Sequence, residues 1–193
     1  MRHFTNRFLW VAALLAASTA SRPLLAQGGP AGGGSACCIV STQAATAEEA
    51  KWLCFMREED KFARDVYAQL FSKWKLRLFD NISRAEQRHY EAVGVLLTRY
   101  AVADPASGLP AGVYSDARLN ALYATLMGQG LTSIQEALAV GIAIEKQDVS
   151  DLESALKETA GTDIKAVYAN LMTGSLSHLE SFEHVLEITQ ALQ

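Results

Sequence analysis

Apolar residues recur at steps of three and four along most of the chain from residue 46 onward, and strand-like alternation never persists beyond a few residues. Thr46-x-x-Glu49 forms a capping box ahead of a helical pattern that runs to about Lys73. A second helix is predicted from about Asn81 to Tyr100, approached through Phe79 and Asp80. A Pro- and Gly-bearing stretch, residues 104–112, leads to a short helix from Asp116 to Met127, with Gly128 and Gly130 as stop signals. Thr132 or Ser133 caps a third long helix reaching about Glu158, and Gly161-Thr162 restarts the chain into a fourth, from about Asp163 to Leu192.

The four long helices fall into two pairs. The connections within them, about seven residues in the first and about three in the second, favour antiparallel neighbours. The stretch between the pairs, roughly 30 residues with one short helix, is long enough to run the length of a bundle. The expected fold is therefore all-α: a ferritin-like four-helix bundle with one long crossover containing a short helix.

Charged residues that fall on an apolar stripe need an explanation, because burying an unpaired carboxylate is costly. Trp52, Phe55, Met56, Phe62, Ala63, Val66 and Leu70 mark the core face of the first helix. Glu59 falls near the middle of that face, Asp60 towards its edge, and Glu58 well away. On the second helix Ile82, Glu86, His89, Val93, Leu96 and Tyr100 follow one another, so Glu86 and His89 project inward together. This is the Glu-x-x-His spacing with which carboxylate-bridged two-metal proteins present an oxygen and an imidazole from one helix. The third helix carries Glu145 at the centre of its stripe, with Asp148 about 60° to one side. The fourth runs Val167, Leu171, Ser175, His178, Phe182 and Val185, which turns His178 inward.

The levels agree on the second pair. Glu145 lies ~20 Å before the end of its helix and His178 ~24 Å beyond the start of the next. On the first pair Glu59 lies ~21 Å from its helix end and Glu86 ~8 Å past its start, so residues 74–80 must climb ~13 Å. Taken singly, each site has a plain structural reading: Ser83-x-x-Glu86 is also a capping-box pattern, Glu145 has the option of an arginine partner, and either histidine fits a hydrogen-bonded core. Convergence from four helices favours a metal site of Glu59, Glu86, His89, Glu145 and His178, with Asp148 as a weaker sixth ligand. Arg57, Lys61, Glu48, Glu153, Lys157 and His184 fall off the stripes and read as solvated. Tyr67 and Tyr90 lie close to the cluster, where a core role outweighs a redox one.

Composition sets the frame. A chain of 193 residues, 50% hydrophobic and 20% charged, supports one domain with a real core, taken as residues 46–193. Residues 1–26 stand apart, with Arg2 and Arg7 around a polar start, an apolar run from Phe8 to Ala17, and small residues after it. That run is too short for the roughly 20 residues of a membrane-spanning helix and suits a secretory signal peptide, cleaved after Ala20 or Ala26. Export to the periplasm or medium is the expectation. Residues 27–45 form a Gly-rich flexible leader that contains Cys37 and Cys38, with Cys54 in the first helix. Loss of Arg2, Arg7 and Arg22 with the signal makes the formal charge of −4 more negative by three. An acidic chain without a basic stripe is a poor partner for nucleic acid.

With these residues in place, Arg57–Tyr67 (REEDKFARDVY) and Asn81–His89 (NISRAEQRH) resemble the family called domain of unknown function 2202. Gly112–Asp116 (GVYSD), Ile144–Asp148 (IEKQD) and Gly174–Leu179 (GSLSHL) extend the match in the same order. The resemblance covers about residues 48–185 and implies a ferritin-like fold with a non-haem di-iron or di-manganese centre. Rubrerythrin-type centres carry a second Glu-x-x-His on the fourth long helix, where this chain has Ser175-x-x-His178. Asp148 is the candidate to replace the missing carboxylate. Oxygen and imidazole donors without thiolate suit two iron ions, with manganese or zinc as alternatives. The expected partners are metal ions and a small-molecule oxidant, with a homodimer left open. The functional expectation is O2- or peroxide-dependent oxidation, or else metal sequestration without turnover, or a purely structural helical module.

Overall fold

The computed structural model describes residues 44–192, so the signal segment, Cys37, Cys38 and nearly all of the Gly-rich leader lie outside the described residues. Five helices follow in order: α1 (Ala47–Trp74), α2 (Arg77–Arg99), α3 (Ala117–Gly130), α4 (Ile134–Glu158) and α5 (Thr162–Ala191), with no strand among the described residues. None of these helices is long and apolar enough to cross a membrane.

Local chemistry sets most of the helix ends. The Thr46 hydroxyl accepts from the Glu49 amide at 3.1 Å while the Glu49 carboxylate accepts from the Thr46 amide at 2.9 Å, so two otherwise orphaned donors are satisfied. The other Glu49 oxygen accepts from the amides of Ala160 and Gly161 at 2.9 and 2.8 Å, which ties the start of α1 to the turn between α4 and α5. Ser133 caps α4 through the Glu136 amide, and Asp116 caps α3 through the Arg118 amide.

The start of α2 differs from the expected Asn81. It begins at Arg77, and the first connection shrinks to Lys75 and Leu76. Lys75 closes α1 in the left-handed region, with φ 56°, and Leu76 offers no side-chain cap. Asp80, Asn81 and Ser83 have the residue types of an N-cap but sit inside the helix. The early start shortens the climb that a later one would require: Glu86 lies nine residues into α2, about 14 Å along its axis instead of ~8 Å.

Contacts fix the directions. Trp52 near the start of α1 reaches Glu158 at the end of α4, and Tyr67 further along α1 reaches Glu145, so α1 and α4 are antiparallel. Arg99 and Tyr100 at the end of α2 bond Asp163 at the start of α5. Two antiparallel hairpins, α1–α2 and α4–α5, are therefore joined by the segment from residue 100 to 133, which travels up the side of α1.

That segment is strapped to α1 by buried charge, and here two expectations are corrected: Arg57 and Lys61 are not solvated. Arg57 is 8% exposed and Lys61 1%. Arg57 forks onto the Asp104 carboxylate, and Lys61 donates to Asp65 at 2.8 Å and to the carbonyls of Pro110 and Val113 at 2.8 and 3.1 Å. Asp65 also accepts from the Gly112 amide and the Tyr114 hydroxyl, and Glu58 accepts from Ser115 and Asp116 at the head of α3. Because the crossover covers its outer side, α1 is buried without a break from Met56 to Ala63.

Two apolar clusters fill the bundle. One contains Phe62, Val66, Tyr67, Leu70, Phe79, Ile82, Leu138, Ile144 and Phe182, and the other Leu53, Met56, Val93, Leu96, Leu152, Tyr168 and Leu171. On each long helix the positions between the two clusters are polar: Glu59 and Asp60, Glu86 and His89, Glu145 and Asp148, Ser175 and His178. The core is thus a hydrophilic layer between two hydrophobic plugs.

Replacing Lys61 by Met keeps the length of the side chain but leaves the carbonyls of Pro110 and Val113 without this donor and Asp65 with Arg64 as its one remaining ion-pair partner among the described residues. Urea unfolding of Lys61→Met is expected to show a loss of about 3–5 kcal/mol, the scale of a broken buried ion pair.

Candidate metal centre

The polar layer is organised around Glu86, which is 1% exposed. Its Oε2 lies 3.0 Å from Nδ1 of His89, one helical turn on, and its Oε1 lies 2.9 Å from Nδ1 of His178 on α5. The two imidazole rings stack with centroids 5.8 Å apart. Nδ1 of His178 also lies 3.6 Å from Oε2 of Glu145. Although the His178–Glu86 distance is that of a hydrogen bond, the alignment is not, and neither Nδ1 of His178 nor Oε1 of Glu86 has a hydrogen-bond partner.

Two triads of ligand-type atoms result, Asp60 with Glu86 and His89, and Glu86 with Glu145 and His178, each within 4.8 Å of one another. Glu86 is common to both. Of the residues expected from the sequence, Glu86, His89, Glu145 and His178 come together here. Asp148 stands beside them, 5% exposed, with one oxygen held by the Ser175 hydroxyl and the other, Oδ1, without a partner. Glu59 is buried next to Asp148 and Asp151 and belongs to neither triad.

From α1 the residue that joins Glu86 and His89 is Asp60, whose position in the sequence is at the edge of the apolar stripe. The signal that finds it is burial on all sides. With the crossover covering one flank of α1 and the bundle the other, no single stripe centre exists, and neighbours about 100° apart are both inside.

Neighbouring side chains hold several of these groups in place. The Tyr67 hydroxyl donates to Oε1 of Glu145 at 2.7 Å, leaving Oε2 for the cluster. Ser175 fixes Asp148 in the same way. A Cβ on Gly174 would meet Cε1 and Nε2 of His89 at 2.7 Å, so α5 makes room for that imidazole by carrying no side chain there. Tyr90 is not part of the cluster; its ring lies under the Arg57 guanidinium at 3.1 Å. His184 is exposed.

The electrostatics are those of an anionic layer short of cations. Burial, then the charges of Glu86 and Asp148, push Asp60 well above the usual carboxylate range. Burial and the charges of Glu86 and Glu145 do the same to Asp148, and burial and the charges of Asp148 and Asp151 to Glu59. Burial outweighs the His178 contact at Glu145, and with the Glu86 charge raises it to about 7. Burial also works upward on Glu86, but the two imidazoles beside it win and hold it low. His178 is raised to about 10: burial opposes its charge, and the Glu145 and Glu86 carboxylates overcome that.

A fit test for metal follows from the donors themselves. Asp60 Oδ2, Glu86 Oε1, Asp148 Oδ1, Glu59 Oε2 and His178 Nδ1 are all buried without a hydrogen-bond partner among the described residues. Buried polar atoms are nearly always satisfied, and lone pairs left bare around shared space are what a bound cation would use. The residues fit.

The sequence profile of the uncharacterized protein domain DUF2202 matches residues 49–191. The uncharacterized protein MJ0754 of Methanocaldococcus jannaschii is 44% identical over 144 residues, which cover 75% of this chain and 78% of that protein. The crystal structure of hypothetical protein MJ0754 from Methanococcus jannaschii is similar with a TM-score of 0.75 and 43% identity, over 77% of this chain and 85% of that one.

Stability of the metal-free protein should carry the sign of these shifts. A carboxyl whose folded pKa is raised contributes fully below its ordinary value, and the contribution is lost as pH rises through the folded value. For Glu145 that window runs from 4.5 to about 7. Asp60, Asp148 and Glu59 act in the same direction, and the raised His178 extends the loss upward, from 6.5 towards about 10. Calorimetry of chelator-treated protein is expected to show the unfolding temperature falling between pH 4.5 and 7, and a midpoint that rises across that window would contradict the assignment.

Proposed function

We propose that this chain, which belongs to the DUF2202 family, is a ferritin-like metal-binding protein whose inner layer holds two metal ions, iron first and manganese or zinc as alternatives. The observation that carries the reading is the pair of triads sharing Glu86, in which Asp60 Oδ2, Glu86 Oε1 and His178 Nδ1 are buried with no hydrogen-bond partner among the described residues. Asp60 and His89 would serve one ion, Glu145 and His178 the other, and Glu86 both. The two hairpins and the long crossover are the order of elements that ferritin-like bundles use, which supports the fold assignment.

Asp148 bears on the departure from the rubrerythrin pattern. Ser175 occupies the place of a carboxylate on α5, and its hydroxyl donates to the Asp148 carboxylate on α4. The acid missing from one helix is thus offered from its neighbour, with a free oxygen beside Glu86 and Glu145.

Iron bound here would supply redox chemistry with O2 or peroxide, acting on Fe(II) itself or on a small reductant. The chain's own part is to exclude water and to fix the donors: the two apolar plugs close the layer from both ends, Tyr67 orients Glu145, and Ser175 orients Asp148. Export, carried by residues 1–26, belongs to the same proposal. It would place the site where incoming metal is met first.

Metal analysis of protein purified from iron-supplemented cells is expected to find about two irons per chain, the stoichiometry of carboxylate-bridged bundles. Glu86→Ala should lose both, because both triads use it, whereas His89→Ala and His178→Ala should each chiefly weaken one. Folded, metal-free protein indifferent to Glu86→Ala would sink the reading. Absorbance changes on mixing the Fe(II) form with O2 would then separate oxidation from plain sequestration.

A further inference from the structure

The inner layer is closed on most sides and open on one. The two apolar clusters plug its ends, the crossover covers the outer flank of α1, and on the α1–α4 seam the fully buried Tyr67 bridges to Glu145. On the α2–α5 seam two side chains of the triads reach the surface. His89 and His178 have side chains 15% and 12% exposed, against 2% for Glu86 and 1% for Glu145. Both rings turn Nδ1 inward to Glu86. Nε2 of neither ring has a hydrogen bond among the described residues, and neither is among the partnerless atoms sealed from water, so the layer meets solvent at these two nitrogens.

What stands over them is bare backbone. A Cβ on Gly174 would lie 2.7 Å from Cε1 and Nε2 of His89 and 3.9 Å from Cε1 of His178, so one missing methyl group leaves both imidazole edges uncovered. One turn to either side on α5 stand Asn170 and Ser177, both exposed, and on α2 His89 is bracketed by Ala85 and Ala92. Among the described residues the polar ties between α2 and α5 are those of Arg99 and Tyr100 with Asp163, far along the seam, and of Glu86 with His178 inside the layer. Arg88, exposed next to His89, donates back to the Arg84 carbonyl on its own helix and does not bridge the seam. A histidine packed for structure alone would spend both ring nitrogens on partners. These two keep Nδ1 inside and leave Nε2 at the surface.

We propose that the α2–α5 seam at Gly174 is the port through which divalent cations enter the inner layer, and that His89 is the side chain an arriving ion meets first. Behind the imidazoles lie the carboxylates of Asp60, Glu86 and Glu145, whose field draws a cation inward. An entrance that offers nitrogen before oxygen favours Fe(II), Co(II) or Zn(II) over Mg(II) and Ca(II). The receiving role of His89 rests on the two-metal reading of the layer. The opening itself stands on the exposure of the two rings and on the absent side chain at Gly174.

The experiment compares the full chain with Ser177→Trp, which places an indole beside the opening, and with Ser150→Trp, the same change on the exposed face of α4. Both positions are exposed, so a thermal melt suffices to confirm folding. Cobalt(II) is mixed with each protein in a stopped-flow instrument, and the visible absorbance of imidazole-bound cobalt reports arrival. Ser177→Trp is expected to slow arrival about tenfold with the final amplitude intact, and Ser150→Trp to change neither. Equal rates in all three proteins overturn the port. Charge gives an independent lever, because Arg88→Glu and Lys157→Glu alter the net charge equally but only Arg88 stands at the opening. Arg88→Glu should speed arrival several-fold at low salt, and no more acceleration than Lys157→Glu gives overturns the assignment. In metal-free protein, diethyl pyrocarbonate should modify His89, and Ser177→Trp should slow that reaction. An unreactive His89, or one indifferent to the substitution, overturns the opening. Absence of any cobalt band in the unsubstituted protein would instead overturn the inner metal reading, and the modification of His89 would still decide whether the seam is open.

Discussion

The constraint on which the rest of this structure depends is that five carboxylates, those of Glu59, Asp60, Glu86, Glu145 and Asp148, lie in the core with two imidazoles as the basic groups beside them among the described residues. Taking one such charge out of water costs several kcal/mol even after relaxation, and like charges in one layer add to the cost. The fold meets it in two ways. It makes the acids harder to ionise, with Asp60, Asp148, Glu59 and Glu145 all pushed upward by burial and by one another's charge. And it places a large apolar cluster on each side, so that the hydrophobic effect supplies what the middle layer takes away.

The contrast between the two sets of buried charge is instructive. Lys61, Asp65 and Glu58 are as deep as many of the layer's acids, and Arg57 nearly so, yet they are paired with one another, with the half-buried Asp104 or with groups of the crossover. They fasten a loop. The layer's acids have the same burial and lack the same partners, and that difference separates a structural network from a binding one more clearly than burial alone.

Much of this was legible in the chain. The capping box at Thr46, the two hairpins, the crossover helix and the inward pairing of Glu86 with His89 all follow from local patterns with a physical cause. Three features did not follow. The start of α2 was hidden because Leu76, at the cap position, has no capping side chain, while Asp80 and Asn81 imitate one. Asp60 was hidden because α1 is enclosed on all sides, so its apolar stripe has no true centre. Arg57 and Lys61 were hidden because their partners, Asp104, Pro110 and Val113, lie roughly 50 residues away in a segment with no periodicity to read.

The strap over α1 also decides how the two hairpins hold together, since the crossover is the one covalent link between them. Its anchors divide into a group around Asp104 and a group from Pro110 to Asp116, each fastened independently to α1. Gly108 lies between the groups with φ 73° and open space where a side chain would stand. A break or an insertion at that glycine would leave both halves of the strap attached, which turns the link into a clamp whose grip does not depend on its continuity.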